Sequence, residues 1–300
     1  MPTEIHIPKI HLETAQDWQD YQLLDSGNGK TLERFGPYKL IRPEPQVVWT
    51  PSLPRETWLS AHASVQETQT EFGGKWHFSK PIEKSWQLHY QDLQFQVQLS
   101  SSRHIGVFPE QASHWQWLGN QIKTSKRSAR VLNLFGYTGL ATLAAARAGA
   151  EVTHVDSSKH ALTWANYNLK LSGLSDRSVR WIAEDALKFI QRESRRGNTY
   201  DGLILDPPKF GRGPKGKVWN FYKNLPELLI ACRKVLSSKP LFVVLTAYAI
   251  QASSVITYQA VHEMVKDLEG EMTTGELITI EESAGHIISH ALFTRWTSQV

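Results

Sequence analysis

Four short segments between residues 133 and 210 of this 300-residue chain carry residue types able to do chemistry. The first is Asn133-Leu134-Phe135-Gly136-Tyr137-Thr138-Gly139, whose two glycines let a backbone turn tightly and approach a ligand. The second is Asp156, twenty residues after Gly136 and followed by Ser157-Ser158, an acid that can accept hydrogen bonds from ribose hydroxyls. The third is Glu184-Asp185, a carboxylate site suited to an adenine amino group. The fourth is Asp206-Pro207-Pro208-Lys209-Phe210. Its prolines redirect the chain and donate no backbone hydrogen bond, so the Pro207 carbonyl is left able to accept one. Simpler uses stay open for the first three: a strand-to-helix turn at the glycines, and helix N-caps at Asp156 and Asp185. Packing alone does not account for Asp-Pro-Pro at the end of an inner strand.

Each segment follows a short apolar run. Strands are predicted over 129–134, 152–155, 179–183, 202–205, 241–245, 276–280 and 289–293. Helices are predicted over 139–148, 159–171, 186–195, 225–236 and 253–268, the first three stopped by Gly149, Gly173 and Gly197. Short strands alternating with helices imply a doubly wound, mostly parallel seven-stranded α/β sheet, in which ligands sit at the carboxyl ends of the strands. Residues 1–100 read differently. Tyr21–Ser26 and Lys30–Phe35 flank Gly27-Asn28-Gly29 as a hairpin, five prolines punctuate 37–54, and Trp86 to Leu99 alternates as a strand pair. The chain is therefore divided into a smaller β-rich N-terminal domain at 1–100, available for substrate docking, and an α/β domain at 101–300.

The bulk composition narrows the classes. Apolar residues make up 41% and charged residues 21%, as in a globular protein. One cysteine, Cys232, excludes an intramolecular disulfide. No signal-like N-terminal run and no long apolar stretch are present, so the expected location is the cytoplasm, with no membrane partner. A net charge of +4 permits a nucleic-acid partner without requiring one. Gly29-Lys30-Thr31 imitates the end of a P-loop, but Leu24 stands where that motif needs glycine. His286 and His290 are four apart without a helix to make them converge, so no metal is expected.

The run Val131 to Gly139 together with Asp206 to Phe210 resembles the class I S-adenosylmethionine-dependent methyltransferases, a Rossmann-like fold. More narrowly it is similar to the bacterial family that methylates bases of large-subunit (23S) ribosomal RNA, and His104 to Gln111 resembles the segment preceding the cofactor domain there. The resemblance covers roughly residues 100–300. It implies S-adenosylmethionine as cofactor and S-adenosylhomocysteine as product, with ribosomal RNA as partner. Cofactor binding falls to Gln111, Asn133, Phe135, Gly136, Tyr137, Thr138, Gly139, Asp156, Ser157, Ser158, Asp185 and Asp206. The catalytic cleft falls to Asp206, Pro207, Lys209 and Phe210.

One branch of such enzymes uses a cysteine thiolate to attack cytosine. Here Leu245 to Ala249 offers none, and Cys232 lies within an apolar helical pattern, so direct transfer, to nitrogen, is expected. Residues 209–217 place Lys209, Arg212, Lys215 and Lys217 among glycines, a flexible cationic loop suited to RNA phosphates, with Phe210 or Trp219 able to stack on a flipped base. A methyltransferase acting on a small molecule or protein, or a domain that binds cofactor without turnover, are the alternatives. The glycine spacing disfavours a dinucleotide site.

Overall fold

The computed structural model describes residues 7–15, 17–67, 74–100, 103–213 and 218–299. These group into two units, one of residues 14–112 with 278–289, the other of residues 7–13, 113–277 and 290–299. The strands of the first half are β1 (Ile10–Thr14), β2 (Tyr21–Gly27), β3 (Lys30–Phe35), β4 (Tyr38–Pro43), β5 (Ala63–Glu67), β6 (Gly74–Phe78), β7 (Ser85–Tyr90) and β8 (Leu93–Gln98), with one short helix, α1 (Arg55–Leu59).

The β-rich unit holds a five-stranded sheet in the order β2-β3-β4-β5-β6 and the hairpin β7-β8. Asn28 at φ 51° and Gly29 at φ 75° form the two-residue turn between β2 and β3, the left-handed pair that matches strand twist. In β7 and β8 every second residue is buried, and Trp86↔Val97, Leu88↔Phe95 and Tyr90↔Leu93 face one another. Trp18, Trp76 and Trp86 are core residues of this unit, which is the commoner fate of aromatics at strand spacing. Residues 103–112 stay with it because Gln98 N donates to Ile105 O (3.0 Å) and Ser100 Oγ to His104 O (2.8 Å). Residues 278–289 belong here too: the buried Glu281 carboxylate accepts from Ser26 Oγ and from Ser283 Oγ, the latter at 2.6 Å. The single cut drawn at residue 100 from the sequence does not separate these two segments.

The other unit continues through α2 (Ala112–Thr124), β9 (Arg130–Leu134), α3 (Leu140–Arg147), β10 (Glu151–Asp156), α4 (Lys159–Leu171), β11 (Val179–Ala183), α5 (Ala186–Arg195) and β12 (Gly202–Leu205). There follow β13 (Phe210–Arg212), β14 (Val218–Asn220), α6 (Phe221–Val235), β15 (Phe242–Tyr248), α7 (Ser254–Val265), β16 (Gly270–Ile280) and β17 (Ile287–Ser298). The sheet order is β1-β16-β17-β15-β12-β9-β10-β11. The seven expected strands are present, and β1 adds an eighth at the edge from a segment that the sequence reading gave to the N-terminal domain. β9, β10, β11, β12 and β15 run parallel, whereas β17 is antiparallel to β15.

Packing explains why these strands read as nearly unbroken apolar runs. All four residues of β12 and the last four of β9 are buried, because helices cover the sheet. Leu134, Leu205, Val243 and Leu245 pack with Phe189, Leu228 and Val265 from α5, α6 and α7. Fully burying each such side chain stabilises the fold by roughly 1.5–3 kcal/mol.

The chain runs outward from β9 to β10 and β11, then returns to the other side of β9 at β12. Such a reversal opens a crevice at the strand ends. The register is level there: Leu134 pairs with both Val155 and Leu205, and Asp156 pairs with Ala183. Phe135, Asp156, Glu184 and Asp206 therefore leave the sheet along one rim.

Candidate active site

At that rim a cleft is lined by Phe135, Val155, Asp156, Ser157, Glu184, Asp185, Ala186, Pro208, Gly211, Gly213 and Trp219. Residues from all four segments singled out in the sequence line this one cleft.

The loop after β9 is set by its backbone. Phe135 (φ 60°), Tyr137 (φ 49°) and Gly139 (φ 88°) adopt left-handed conformations in alternation. Two of these three are aromatic residues, for which that conformation is strained. Alternation of this kind turns successive N–H groups toward one concavity, a cradle for an anionic group. Gly136 N donates to Val155 O (3.1 Å) and Gly139 N to Gly136 O (3.0 Å), which fixes the turn. A Cβ at Gly136 would lie 2.3 Å from His154 Cε1, and one at Gly139 2.8 Å from Ala165 Cβ. Neither position admits a side chain without rearrangement.

Asp156 is held by this loop. Tyr137 N donates to Asp156 Oδ2 (3.0 Å) and Ser158 N to Oδ1 (2.8 Å), so each carboxylate oxygen is oriented and keeps room for a further hydroxyl donor. Burial raises the Asp156 pKa above the ordinary carboxylate value, and the two backbone bonds pull against it. The same burial, with the Asp156 charge, pushes Tyr137 up to about 12. The N-cap of α4 is Ser158, whose Oγ accepts from Ala161 N (3.2 Å). Asp156, freed from capping α4, anchors both loops. Asp185 does cap α5, accepting from Lys188 N at 2.9 Å, while also lining the cleft. Its neighbour Glu184 pairs with Arg192 and with Lys188 (3.4 Å).

The fourth segment behaves differently from its sequence expectation. Phe210–Arg212 pairs antiparallel with Val218–Asn220, so the stretch begins as a hairpin rather than a flexible loop. Lys215 and Lys217 lie outside the described residues. Trp219 is 9% exposed: its Nε1 donates to Pro208 O (2.7 Å) and its ring lies 5.0 Å from that of Phe135. Trp219 is thus built into the wall, and of the two aromatics named for stacking it is Phe210, 47% exposed, that presents a face to solvent. Pro207 is buried and Asp206 and Lys209 are half-buried.

The remaining residues sit apart from the cleft wall. Asn133 is buried and donates from Nδ2 to Thr142 Oγ1 (2.9 Å), and the Thr138 carbonyl accepts from Asn168 Nδ2 (3.0 Å). Both brace the loop from behind. Gln111 closes a short helical turn, Pro109–Gln111, in the other unit. Cys232 is fully buried among the apolar residues of α6 and its neighbours, and burial raises its thiol pKa. His286 faces Glu281 (3.0 Å). Among the described residues no group of His, Cys, Asp or Glu is arranged to hold a metal ion. No helix among them is long and apolar enough to cross a membrane.

Residues 46–244 match the family model of the S-adenosylmethionine-dependent methyltransferases. The chain belongs to that family. A methyltransferase of this kind from Agrobacterium tumefaciens, solved by crystallography, is 43% identical, covers 100% of this chain with 98% of its own, and superposes with a TM-score of 0.92. The ribosomal RNA large subunit methyltransferase K/L of Shewanella oneidensis is 29% identical over 55% of this chain and 22% of its own length. The ribosomal RNA large subunit methyltransferase I of Aeromonas salmonicida is 37% identical over 46% of this chain and 31% of its own. This methyltransferase thus spans less than a third of either curated relative. Its sheet is the class I arrangement, its cofactor is S-adenosylmethionine, and the cleft fits that group. An oriented carboxylate suits a pair of hydroxyls, and the Gly136 cradle keeps a side chain out of the loop.

Sequence reasoning named Phe135, Tyr137, Trp219 and Glu184 but missed how each is held. The left-handed aromatics Phe135 and Tyr137 carry no local sequence signal. Trp219 and its Pro208 bond depended on the unforeseen hairpin. Glu184, read with Asp185, lines the cleft while paired to two bases.

Proposed function

We propose that this methyltransferase transfers a methyl group directly to a nitrogen of a ribosomal RNA base. One observation carries the reading. The cofactor cleft opens beside an Asp-Pro-Pro segment that turns into a hairpin presenting exposed Phe210 and half-buried Lys209. An aromatic face next to a cationic group suits a base taken out of its stack. The Shewanella and Aeromonas relatives, both large-subunit ribosomal RNA methyltransferases, support the same substrate.

In this reading residues 133–139 wrap the methionine end of the cofactor. Asp156 accepts the ribose hydroxyls beside Ser157 and Ser158, Asp185 meets the adenine, and Asp206 completes the binding set. The bound cofactor supplies a methyl group already electrophilic on a sulfonium, so the protein's task is to position the acceptor. Trp219 occupies the Pro208 carbonyl. Asp206 or the Pro207 carbonyl then accepts a hydrogen bond from the base and orients its nitrogen lone pair. Lys209 neutralises a nearby phosphate, and Phe210 stacks on the ring. No thiolate is required, consistent with a single, buried cysteine.

The test is transfer of labelled methyl from S-adenosylmethionine to ribosomal RNA, set against pools of metabolites and of protein. Label in RNA bases, abolished by Asp206→Ala even at saturating cofactor, is expected. Label only in the metabolite or protein pool would replace the RNA reading, and cofactor binding without any transfer would remove catalysis itself. Full turnover by Asp206→Ala would sink the role given to Asp206.

A further inference from the structure

His154 stands on β10, two residues before Asp156, and is fully buried. In register it lies between Asn133 of β9 and Trp181 of β11, so the three share one face of the sheet. Its Nδ1 is 2.9 Å from Thr142 Oγ1, which also accepts from Asn133 Nδ2. Its Nε2 has no hydrogen-bond partner among the described residues. Burial pushes its pKa down to about 3, so the ring is neutral. An apolar side chain would fill this place without leaving a buried polar atom unpaired, so packing alone does not account for a histidine here.

The ring lies against the loop after β9 at Gly136. The three atoms nearest to a Cβ built on Gly136 all belong to His154: Cε1 at 2.3 Å, Nδ1 at 2.6 Å and Nε2 at 2.8 Å. Gly136 is not itself in the left-handed region, so the nearness of this ring, rather than backbone strain, excludes a side chain there. The residues on either side, Phe135 and Tyr137, are the strained ones, and Tyr137 N is the donor that orients Asp156.

We propose that His154 is a positioning residue for cofactor binding. Locked by Thr142, its ring forms the floor on which the Gly136 backbone rests, and this holds Phe135 and Tyr137 left-handed and aims the Tyr137 N–H at Asp156. The proposal rests on the reading that residues 133–139 hold the cofactor.

Calorimetry with S-adenosylmethionine on four variants separates the two. Gly136→Ala is expected to weaken binding at least about tenfold and His154→Ala several-fold, with the double variant losing less than the two single losses combined, as contacting residues couple. His154→Phe keeps a ring but loses the Thr142 anchor and the unpaired nitrogen. It is expected to bind cofactor several-fold more weakly with an unchanged or raised melting temperature, a divergence that a purely structural role does not produce. His154→Ala with native affinity overturns the proposal while leaving the loop reading intact. Gly136→Ala with native affinity overturns the loop reading itself. Should Gly136→Ala not fold, native affinity in His154→Phe overturns the proposal alone.

Discussion

Replacing Asp156 by asparagine probes the cofactor site with almost no change of shape. In the native protein each carboxylate oxygen accepts one backbone N–H, from Tyr137 (3.0 Å) and from Ser158 (2.8 Å). An amide offers one acceptor oxygen and one NH₂ group, so one of these N–H groups would face another donor. The proposed ribose contact loses its charge and one of two acceptors. Hydrogen bonds to charged groups contribute about 1.5–3 kcal/mol each. One lost bond plus a weakened second gives about 2–4 kcal/mol of binding, or roughly 30- to 700-fold in affinity. Folding should change far less, because the charge that disappears is one that burial already disfavours, as the raised pKa records. Titration calorimetry with S-adenosylmethionine, alongside thermal melting of the ligand-free protein, reads both quantities. Asp156→Asn binding within threefold of the native protein would refute the reasoning, as would a loss of affinity accounted for by unfolding.

Three further outcomes follow from the same geometry. Trp219→Phe keeps the ring beside Phe135 but removes the donor to Pro208 O, a neutral bond worth about 1 kcal/mol; kcat on RNA should fall by about fivefold or more while cofactor affinity stays within twofold, and the reverse split would contradict it. Because the Asp156 pKa is raised, cofactor affinity should be flat at neutral pH and fall on acidification sooner than for an ordinary carboxylate, as protonation removes the acceptor charge; calorimetry across pH should show this fall and show it abolished in Asp156→Asn. Cys232→Ala should retain methyl transfer while losing about 1–3 kcal/mol of stability to a small cavity, and loss of activity in the folded variant would point to thiol chemistry.

Much of the α/β unit was legible because hydrophobic period and capping agree there. α4, α5, β11 and β12 have the bounds that the sequence implies. The start of α6 was hidden by Pro226, which ordinarily argues against a helix interior. The helix nevertheless begins at Phe221, where Asn220 Oδ1 accepts from Lys223 N (3.2 Å) and Asn224 Oδ1 from Asn220 N (2.8 Å). The edge strand β1 and residues 278–289 escaped because their partners are distant in sequence, and no local pattern announces such pairing. At the site, Asp156 and Asp185 were found as residue types at strand ends. Which of them caps a helix was not, since Asp, Ser and Asn all cap, and the structure gives that work at α4 to Ser158. The strain at Phe135 and Tyr137 is a property of the folded loop, whose Gly136 and Tyr137 N–H groups bond to Val155 O and Asp156 Oδ2.

The claim that this methyltransferase acts on a base of ribosomal RNA is tested most directly by mass mapping of ribosomal RNA from cells with and without the protein, complemented by the native chain or by Asp206→Ala. The account predicts one nucleotide that loses a single base methyl group when the protein is absent, regains it with the native chain and does not regain it with the variant. Identical modification maps in the presence and absence of the protein would contradict it.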